Sequence, residues 1–417
     1  MKNYKVGVIG LGYVGLPLAL NFSKNSNFTV YGIDTDKSKI EKLEKSESYI
    51  NYIPTKLIKK FIKKNKVSND FSIIPSLDII IMCLPTPVKK NNKPDLSFII
   101  KCCKKISKYL RKGQLLCLES TTYPGTTDEI LISMLRKKFK IGKNFYVAYS
   151  SEREDPGNKI KMENIPKVIS GHTKNCKKKA YFYYSKVFKK IVLTDEPKIA
   201  EFSKILENVF RSVNIGLVNE VKIICDKMGL DVFEVINAAS TKPFGFMPFY
   251  PGPGVGGHCI PLDPFYLKWK ANKYGLKTKF IELAYEINND MKKWIIQKIK
   301  NKLKKIKNKK ILIIGASYKK NIDDCRESPS LDIISSLIKL GGEISYHDPY
   351  VKELPITRKH KITMQSTTIS KKNIKNFDGV VILTDHDKIN YKIIKNYSKT
   401  IFDSRGIFKP SKNVIRV

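Results

Sequence analysis

The chain has no run of about 18 apolar residues, so neither a membrane-spanning helix nor a membrane partner is expected. Met1 leads straight into the strand-like Lys5-Val-Gly-Val-Ile9, without the charged, apolar and small-residue succession of a cleavable signal, and a cytoplasmic protein is expected. No two of its eight cysteines, at 83, 102, 103, 117, 176, 225, 259 and 325, form a CxxC pair. That argues against a disulfide framework and against a metal site, and in a reducing compartment most of them should be small buried hydrophobes. Acidic residues are few, 38 against 78 lysines and arginines, for a formal net charge of +40. Yet no RNP, zinc-finger or basic-zipper pattern accompanies the charge. The lysines recur in short runs along the whole chain, as at Lys177 to Lys179 and between Lys302 and Lys310. Charge alone gives nonspecific attraction, so no nucleic-acid partner is expected, although a basic surface would draw in a dianionic ligand.

What is present is a three-part pattern. From Lys5 to about Tyr149, the strand candidates Lys5–Ile9, Thr29–Ile33, Asp78–Cys83, Leu115–Glu119 and Tyr146–Tyr149 alternate with helical stretches, which predicts a parallel sheet covered by helices. From about Pro197 to Lys300 there is no convincing strand. There Phe202, Ile205, Val209, Val213, Leu217, Val221 and Ile224 recur at helical spacing, as one long helix that Gly229 helps to close. Strands restart at Lys310–Ile314, Glu343–Tyr346, Gly379–Leu383 and Thr400–Phe402, beyond a Lys-rich stretch that reads as the end of a helix. The expected fold is α/β: two doubly wound, Rossmann-like domains, 1–196 and 301–417, joined by an all-helical domain at 197–300.

The first strand runs into Gly10-Leu11-Gly12-Tyr13-Val14-Gly15, which opens a helix. The first glycine allows the tight turn, the second lets the backbone approach a pyrophosphate, and the third lets helix and strand pack closely. The helix N-terminus then faces the phosphate charge. Asp34 ends the second strand, where a carboxylate can accept both ribose hydroxyls and would repel a 2′-phosphate, so NAD is expected rather than NADP. Later strand ends carry Leu84-Pro-Thr86-Pro87, Ser120-Thr121-Thr-Tyr-Pro-Gly125 and Ser151-Glu152-Arg153, delivering hydroxyls, a carboxylate and a guanidinium to one rim of the sheet.

A second group lies in the helical part. Lys204, Asn208 and Arg211 share one helix face, opposite the apolar stripe; on spacing alone this suits a solvated polar face as well as a working one. Beyond them comes Tyr250-Pro-Gly-Pro-Gly254-Val-Gly256-Gly257-His258-Cys259-Ile-Pro-Leu262-Asp263. A loop this rich in glycine and proline is neither helix nor central strand, and its N–H groups could face a phosphate or an oxyanion. A cysteine at its end, with Asp263 following, reads as a nucleophile.

These motifs, with Lys204-Ile-Leu-Glu-Asn208 and Asp324-Cys-Arg326-Glu-Ser-Pro329, resemble those of the UDP-glucose/GDP-mannose dehydrogenase family over nearly the full length. Thr241-Lys-Pro-Phe-Gly-Phe-Met-Pro-Phe-Tyr250 and the stretch from Glu152 to Asn158 resemble the branch acting on UDP-N-acetylhexosamines. The resemblance implies an NAD-binding domain, a central helical domain that makes a homodimer or higher homo-oligomer, and a UDP-binding domain. It implies two successive oxidations of the sugar C6 alcohol, for a surface polysaccharide precursor, through a thiohemiacetal and a thioester on Cys259. Lys204 would handle the alcohol proton and stabilise the oxyanion with Asn208. Asp263 would support acid–base chemistry, and Glu152 would serve thioester hydrolysis. Gly10 to Gly15, Asp34, Lys39, Thr86 and Thr121 would hold NAD, with Thr121 also at the catalytic centre. Glu152, Arg153, Lys204, Asn208, Arg211, Tyr250, Gly254, Gly256, Lys319 and Arg326 would lie near the sugar or UDP. No metal is implied.

The chain departs from the family pattern at four places. Ser151 stands where a proline usually precedes the glutamate. His258, Leu262 and Pro156 replace the serine, lysine and second glutamate of UDP-glucose members. The expected substrate is therefore UDP-N-acetylglucosamine, with its manno and galacto epimers and UDP-glucose as alternatives. Two rivals are a hydroxyacid-type dehydrogenase making one oxidation, which would not need Cys259, and a non-catalytic basic nucleic-acid-binding protein.

Overall fold

Runs of β-branched residues bounded by glycine and proline become strands in both α/β parts. The structure is a computed structural model that describes residues 2–89, 93–154, 160–257, 259–357 and 359–417. His258 and Pro156, two of the departures above, lie outside the described residues. The chain divides into two compact units, Met1–Glu207 with Phe265–Leu276, and Asn208–Pro264 with Lys277–Val417.

The first unit holds eight strands: β1 (Tyr4–Ile9), β2 (Phe28–Ile33), β3 (Lys66–Ser68), β4 (Ile79–Met82), β5 (Leu115–Leu118), β6 (Tyr146–Tyr149), β7 (Lys167–Gly171) and β8 (Ile191–Leu193). Their order is β3-β2-β1-β4-β5-β6-β7-β8. The predicted strands are all present. β3, β7 and β8 were not expected, and β7 pairs antiparallel with β6, so the sheet is not uniformly parallel. β4 and β5 are buried along their whole length. Helices on both sheet faces explain why they read as continuous apolar runs rather than alternating ones.

The second unit holds β9 (Lys310–Ile314), β10 (Glu343–His347), β11 (Gly379–Ile382), β12 (Ile401–Asp403) and the unpredicted β13 (Val414–Arg416), in the order β10-β9-β11-β12-β13, all parallel. Both sheets use the same device after their first strand. Gly10 (φ +91°) donates its N–H to Ile33 O at 2.7 Å, and Leu11 N donates to the Asp34 carboxylate at 2.8 Å. Gly315 (φ +86°) donates to His347 O at 2.9 Å, and Ala316 N to the Asp348 carboxylate at 2.8 Å. A left-handed glycine turns the chain, and an acid at the end of the neighbouring strand takes the next N–H, which would otherwise be an orphan at the sheet rim.

The long helix runs from Pro197 to Met228 and stops at Gly229, whose φ is +71°. Its orientation corrects the sequence reading. Of the predicted apolar stripe Ile205 is buried, but Phe202, Leu217 and Ile224 are exposed, while Glu201, Lys204, Asn208, Ser212, Asn219 and Lys222 are buried. Apolar periodicity located the helix; it did not say which face turns inward. The buried amides are paired in series: Asn288 Nδ2 donates to Ser212 O (3.1 Å), Asn219 Nδ2 to Asn288 Oδ1 (2.8 Å), and Gly252 N to Asn219 Oδ1 (3.0 Å). Among the described residues no helix is long and apolar enough to cross a membrane. Asn219→Leu strands two buried polar groups and should cost about 2–4 kcal/mol in denaturant unfolding. A loss under about 0.5 kcal/mol would contradict the role given to this amide series.

Candidate active site

In the first unit the predicted dinucleotide residues surround one loop. A Cβ at Gly10 would lie 2.4 Å from the Cys83 carbonyl oxygen, and one at Gly15 would lie 1.8 Å from the Gly10 carbonyl oxygen. A Cβ at Gly12 would meet nothing within 4 Å. The chain's own packing thus requires the first and third glycines, whereas the second leaves room for a pyrophosphate to approach, which fits the cofactor. Asp34 is buried; besides Leu11 N it accepts from Asp36 N at 3.0 Å and Lys39 Nζ at 3.4 Å. The Tyr49 hydroxyl donates to Leu11 O at 2.5 Å, and Tyr13 O accepts from Tyr52 at 3.4 Å, so aromatic side chains brace the loop. Val14 precedes the helix that opens at Gly15.

Two more strand ends are tied together beside it. The Ser120 hydroxyl accepts from Leu84 N at 2.9 Å and donates to Leu84 O at 2.8 Å. Thr86 is buried, with its carbonyl oxygen accepting from the Tyr266 hydroxyl, and Thr121 is half-buried. Glu201, on the long helix, accepts from Gly125 N at 2.5 Å, Thr127 N at 2.8 Å and Thr127 Oγ1 at 2.7 Å, anchoring the loop that carries Thr121.

Glu152 is buried after β6. Its Oε1 accepts from the N–H groups of Arg153 and Glu154, both at 2.7 Å, and its Oε2 from Lys167 Nζ at 3.1 Å. Lys167 Nζ also donates to Glu119 Oε2 at 2.6 Å, and the Tyr184 hydroxyl donates to Glu119 Oε1 at 2.6 Å. Two carboxylates therefore share one buried ammonium. Burial pushes the Glu119 carboxyl up to about 7, against the pull of Lys167 and with repulsion from Glu152. Burial acts on Glu152 too, but Lys167 and the two N–H donors outweigh it and hold that carboxyl below the usual range. Ser151 is fully buried, and its hydroxyl has no hydrogen-bond partner among the described residues. Arg153, predicted near the sugar, pairs with Glu207 at 2.8 Å and donates to Pro166 O at 3.0 Å.

Within the second unit, Asn208 Nδ2 donates to Asp263 Oδ2 at 2.6 Å, both residues being buried. Cys259 opens the helix Cys259–Lys273, one turn before Asp263. It is exposed, whereas the other seven cysteines are buried. Burial pushes the Cys102 thiol up to about 12 and that of Cys103 to about 11, as inert thiols require. The preceding loop is packed rather than open. Gly254 (φ +121°) and Gly256 come so close to Asn288 O and Tyr318 that a Cβ would lie 2.6 and 2.5 Å away. Gly252 N and Gly257 N donate within the chain, the latter to Arg326 O at 2.9 Å. So at least these two N–H groups, read from the sequence as possible anion donors, are already spent. Tyr250 donates to Asn237 Oδ1 at 2.9 Å and Arg211 is exposed. Arg326 is exposed and grips Asp324, at 2.6 Å for Nη2; Lys319 is half-buried after β9.

The sequence reading passed over Lys167, Glu201 and Arg405. Arg405 follows β12 and packs against Gly252, where a Cβ would lie 2.7 Å from its Nη1. The strand-end rule applied to the first sheet would have found it; nothing local marks Lys167 or Glu201, whose partners are distant in sequence.

The UDP-glucose/GDP-mannose dehydrogenase family matches along the chain: its NAD binding domain over residues 4–192, its central domain over 198–290 and its UDP binding domain over 312–410. A UDP-N-acetyl-D-glucosamine 6-dehydrogenase of Pseudomonas aeruginosa is 31% identical over 433 residues, 100% of each chain. The chain belongs to this family. A UDP-N-acetyl-D-mannosamine dehydrogenase of Methanococcus maripaludis is 33% identical over 98% of this chain and 94% of the relative. The solved UDP-D-ManNAc dehydrogenase of Pyrococcus horikoshii is similar with a TM-score of 0.86 and 29% identity, over 99% of this chain and 98% of that one. Like the family, the chain is an NAD-dependent nucleotide-sugar dehydrogenase, an oxidoreductase.

Two outcomes follow from this geometry. Gly12→Ala should leave stability within about 0.5 kcal/mol but weaken NAD binding, while Gly15→Ala should unfold more easily by at least about 2 kcal/mol. Calorimetric NAD titration and thermal unfolding separate the two; equal destabilisation would contradict the distinction. Second, the folded chain keeps a proton on Glu119 up to about pH 7 that the unfolded chain has lost above 4.5. Stability should therefore fall as pH rises through that interval, by up to about 3 kcal/mol. Glu119→Gln should flatten the slope in urea denaturation at pH 5 and pH 7; an unchanged slope counts against the buried proton.

Proposed function

We propose that the chain oxidises the C6 alcohol of a UDP-N-acetylhexosamine, UDP-N-acetylglucosamine first, to the uronic acid, with Cys259 as covalent nucleophile. The observation that carries this reading is the exposed Cys259 at the head of a helix, one turn from an Asp263 tied to Asn208. The partial positive charge at a helix N-terminus suits a negatively charged sulfur. Relatives named for UDP-N-acetylglucosamine and UDP-N-acetylmannosamine support the sugar class, as does Leu262 in place of the lysine of UDP-glucose members. Three domains, 1–196, 197–300 and 301–417, divide the work.

Bound NAD supplies the hydride acceptor for each of two oxidations. Lys204 takes the C6 hydroxyl proton and, with Asn208, stabilises the charge left on oxygen. The Cys259 sulfur adds to the aldehyde carbon and keeps it from escaping; the thiohemiacetal then gives up its hydride to become a thioester. Glu152 directs water to that carbonyl, with Asp263 in support. Thr121 sits at this centre. Gly10 to Gly15, Asp34, Lys39 and Thr86 hold NAD. Arg153, Arg211, Tyr250, Gly254, Gly256, Lys319 and Arg326 hold the sugar and UDP. The chain works as a homodimer: within the second unit Phe210 and Leu217 on the long helix, with Phe280 and Leu283, leave apolar surface that a second copy would cover. Eight cysteines outside any disulfide suit the reducing cytoplasm.

NADH release with UDP-N-acetylglucosamine, its manno and galacto epimers and UDP-glucose tests the reading. Two NADH per sugar, fastest with UDP-N-acetylglucosamine, are expected, and Cys259→Ser should make no acid. One NADH per sugar, or full acid production by Cys259→Ser, would refute the covalent four-electron route.

A further inference from the structure

Glu152 is fixed from all sides. Backbone N–H groups of Arg153 and Glu154 hold Oε1 at 2.7 Å, and Lys167 holds Oε2 at 3.1 Å. Lys167 starts β7, the strand that returns antiparallel beside β6, and it is anchored in turn by Glu119 at 2.6 Å, whose other oxygen accepts from Tyr184. A Lys167–Glu119 pair with the Tyr184 hydroxyl would satisfy itself. Adding Glu152 brings a second buried carboxyl group to the same ammonium, and because Glu119 keeps its proton up to about pH 7 while Lys167 and two N–H donors hold Glu152 below the usual range, Glu152 is the one kept ionised. The cluster therefore does more than hold β5 to β7.

We infer that Lys167, anchored by Glu119 and Tyr184, is a positioning residue for hydrolysis: it aims the Glu152 carboxylate so that the lone pair left on Oε2 orients the water that releases the product from Cys259. The inference rests on the covalent route proposed above. In that step the water oxygen bonds to the thioester carbon, the carbon–sulfur bond breaks and sulfur leaves as thiolate. One water proton passes to Glu152 and then to solvent. Lys167 touches neither sugar nor cofactor in this scheme and acts through Glu152 alone. The two carboxylates hold its ammonium above the ordinary lysine range despite burial, so it stays charged throughout the working pH range.

The test is rapid mixing of full-length enzyme, NAD and UDP-N-acetylglucosamine, with intact mass measured during turnover. Lys167→Met leaves two buried carboxyl groups without their cation, so the Lys167→Met/Glu119→Gln double variant, which leaves Glu152 as the one acid of the cluster, accompanies it. Both oxidations should survive in the double variant, giving a burst of two NADH per site. Steady turnover should then slow on the order of 10- to 100-fold, the usual cost of a misplaced catalytic group. The sugar acyl group should appear as an adduct on Cys259, with KM for the sugar within about twofold of wild type. Lys167→Arg should recover most of the rate. A merely structural role would slow the burst and the steady state together and leave no adduct, and that result, or wild-type turnover, overturns the inference. Glu152→Gln separates the two levels. If it accumulates the adduct and the Lys167 variants do not, only the role of Lys167 falls; if it accumulates none, the hydrolytic role of Glu152 falls with it.

Discussion

Along the long helix from Pro197 to Met228 polar side chains turn inward, and each buried polar group needs a partner or costs about 1–3 kcal/mol. The partners found lie, for each residue, in its own unit. Glu201 takes the N–H groups of the loop that carries Thr121; Asn208 meets Asp263; Asn219 takes Gly252 N at the start of the loop leading to Cys259. Lys222 donates to the Val417 carbonyl oxygen, joining the same helix to the strand end beyond β13. One helix thus sets positions within both units through hydrogen bonds that have little freedom to slide.

The repeated turn after β1 and after β9 shows how one local solution serves two ends. Asp34 and Asp348 each take the N–H after a left-handed glycine. Asp348 is saturated further: it accepts from Tyr350 N and Val351 N, and from His386 Nε2 at 3.0 Å. His386 Nδ1 accepts from Asn321 N at 2.9 Å, which puts the ring proton on Nε2 and makes it the donor. Asp34 keeps Lys39 as a longer, adjustable partner at 3.4 Å. The family's NAD binding domain covers the first turn and its UDP binding domain the second. The difference in acceptor capacity matches that division, since a ribose diol needs a carboxylate with lone pairs to spare.

Much of this was legible beforehand. The strands β1, β2, β4 to β6 and β9 to β12 follow from apolar runs between turn residues, and Gly10 to Gly15 with Asp34 follow from spacing because a dinucleotide turn is a local object. β3, β8 and β13 are three residues each, too short to show a period, and β7 begins with a lysine that no pattern assigns to a core. Its burial makes sense only beside Glu119 and Glu152, which are far away in the chain. Glycines show the same division. Sequence marks the Gly252–Gly257 loop as unusual backbone, and only the packed Tyr318, Asn288 and Arg405 explain why a side chain cannot enter.

Cys259 gathers both lessons. Its motif, its family and the expectation that it differs from the other seven cysteines came from the order of residues, since they depend on neighbours along the chain. That it is exposed and opens a helix while the others are buried, that Phe202, Leu217 and Ile224 of the long helix's apolar stripe face outward, and that two carboxyl groups share Lys167 came from tertiary structure alone. Helical and strand periods are set by backbone geometry over a few residues, so a sequence carries them. Which face is buried, and which charge meets which, depends on surfaces brought together from distant segments, and those exist only once the chain has folded.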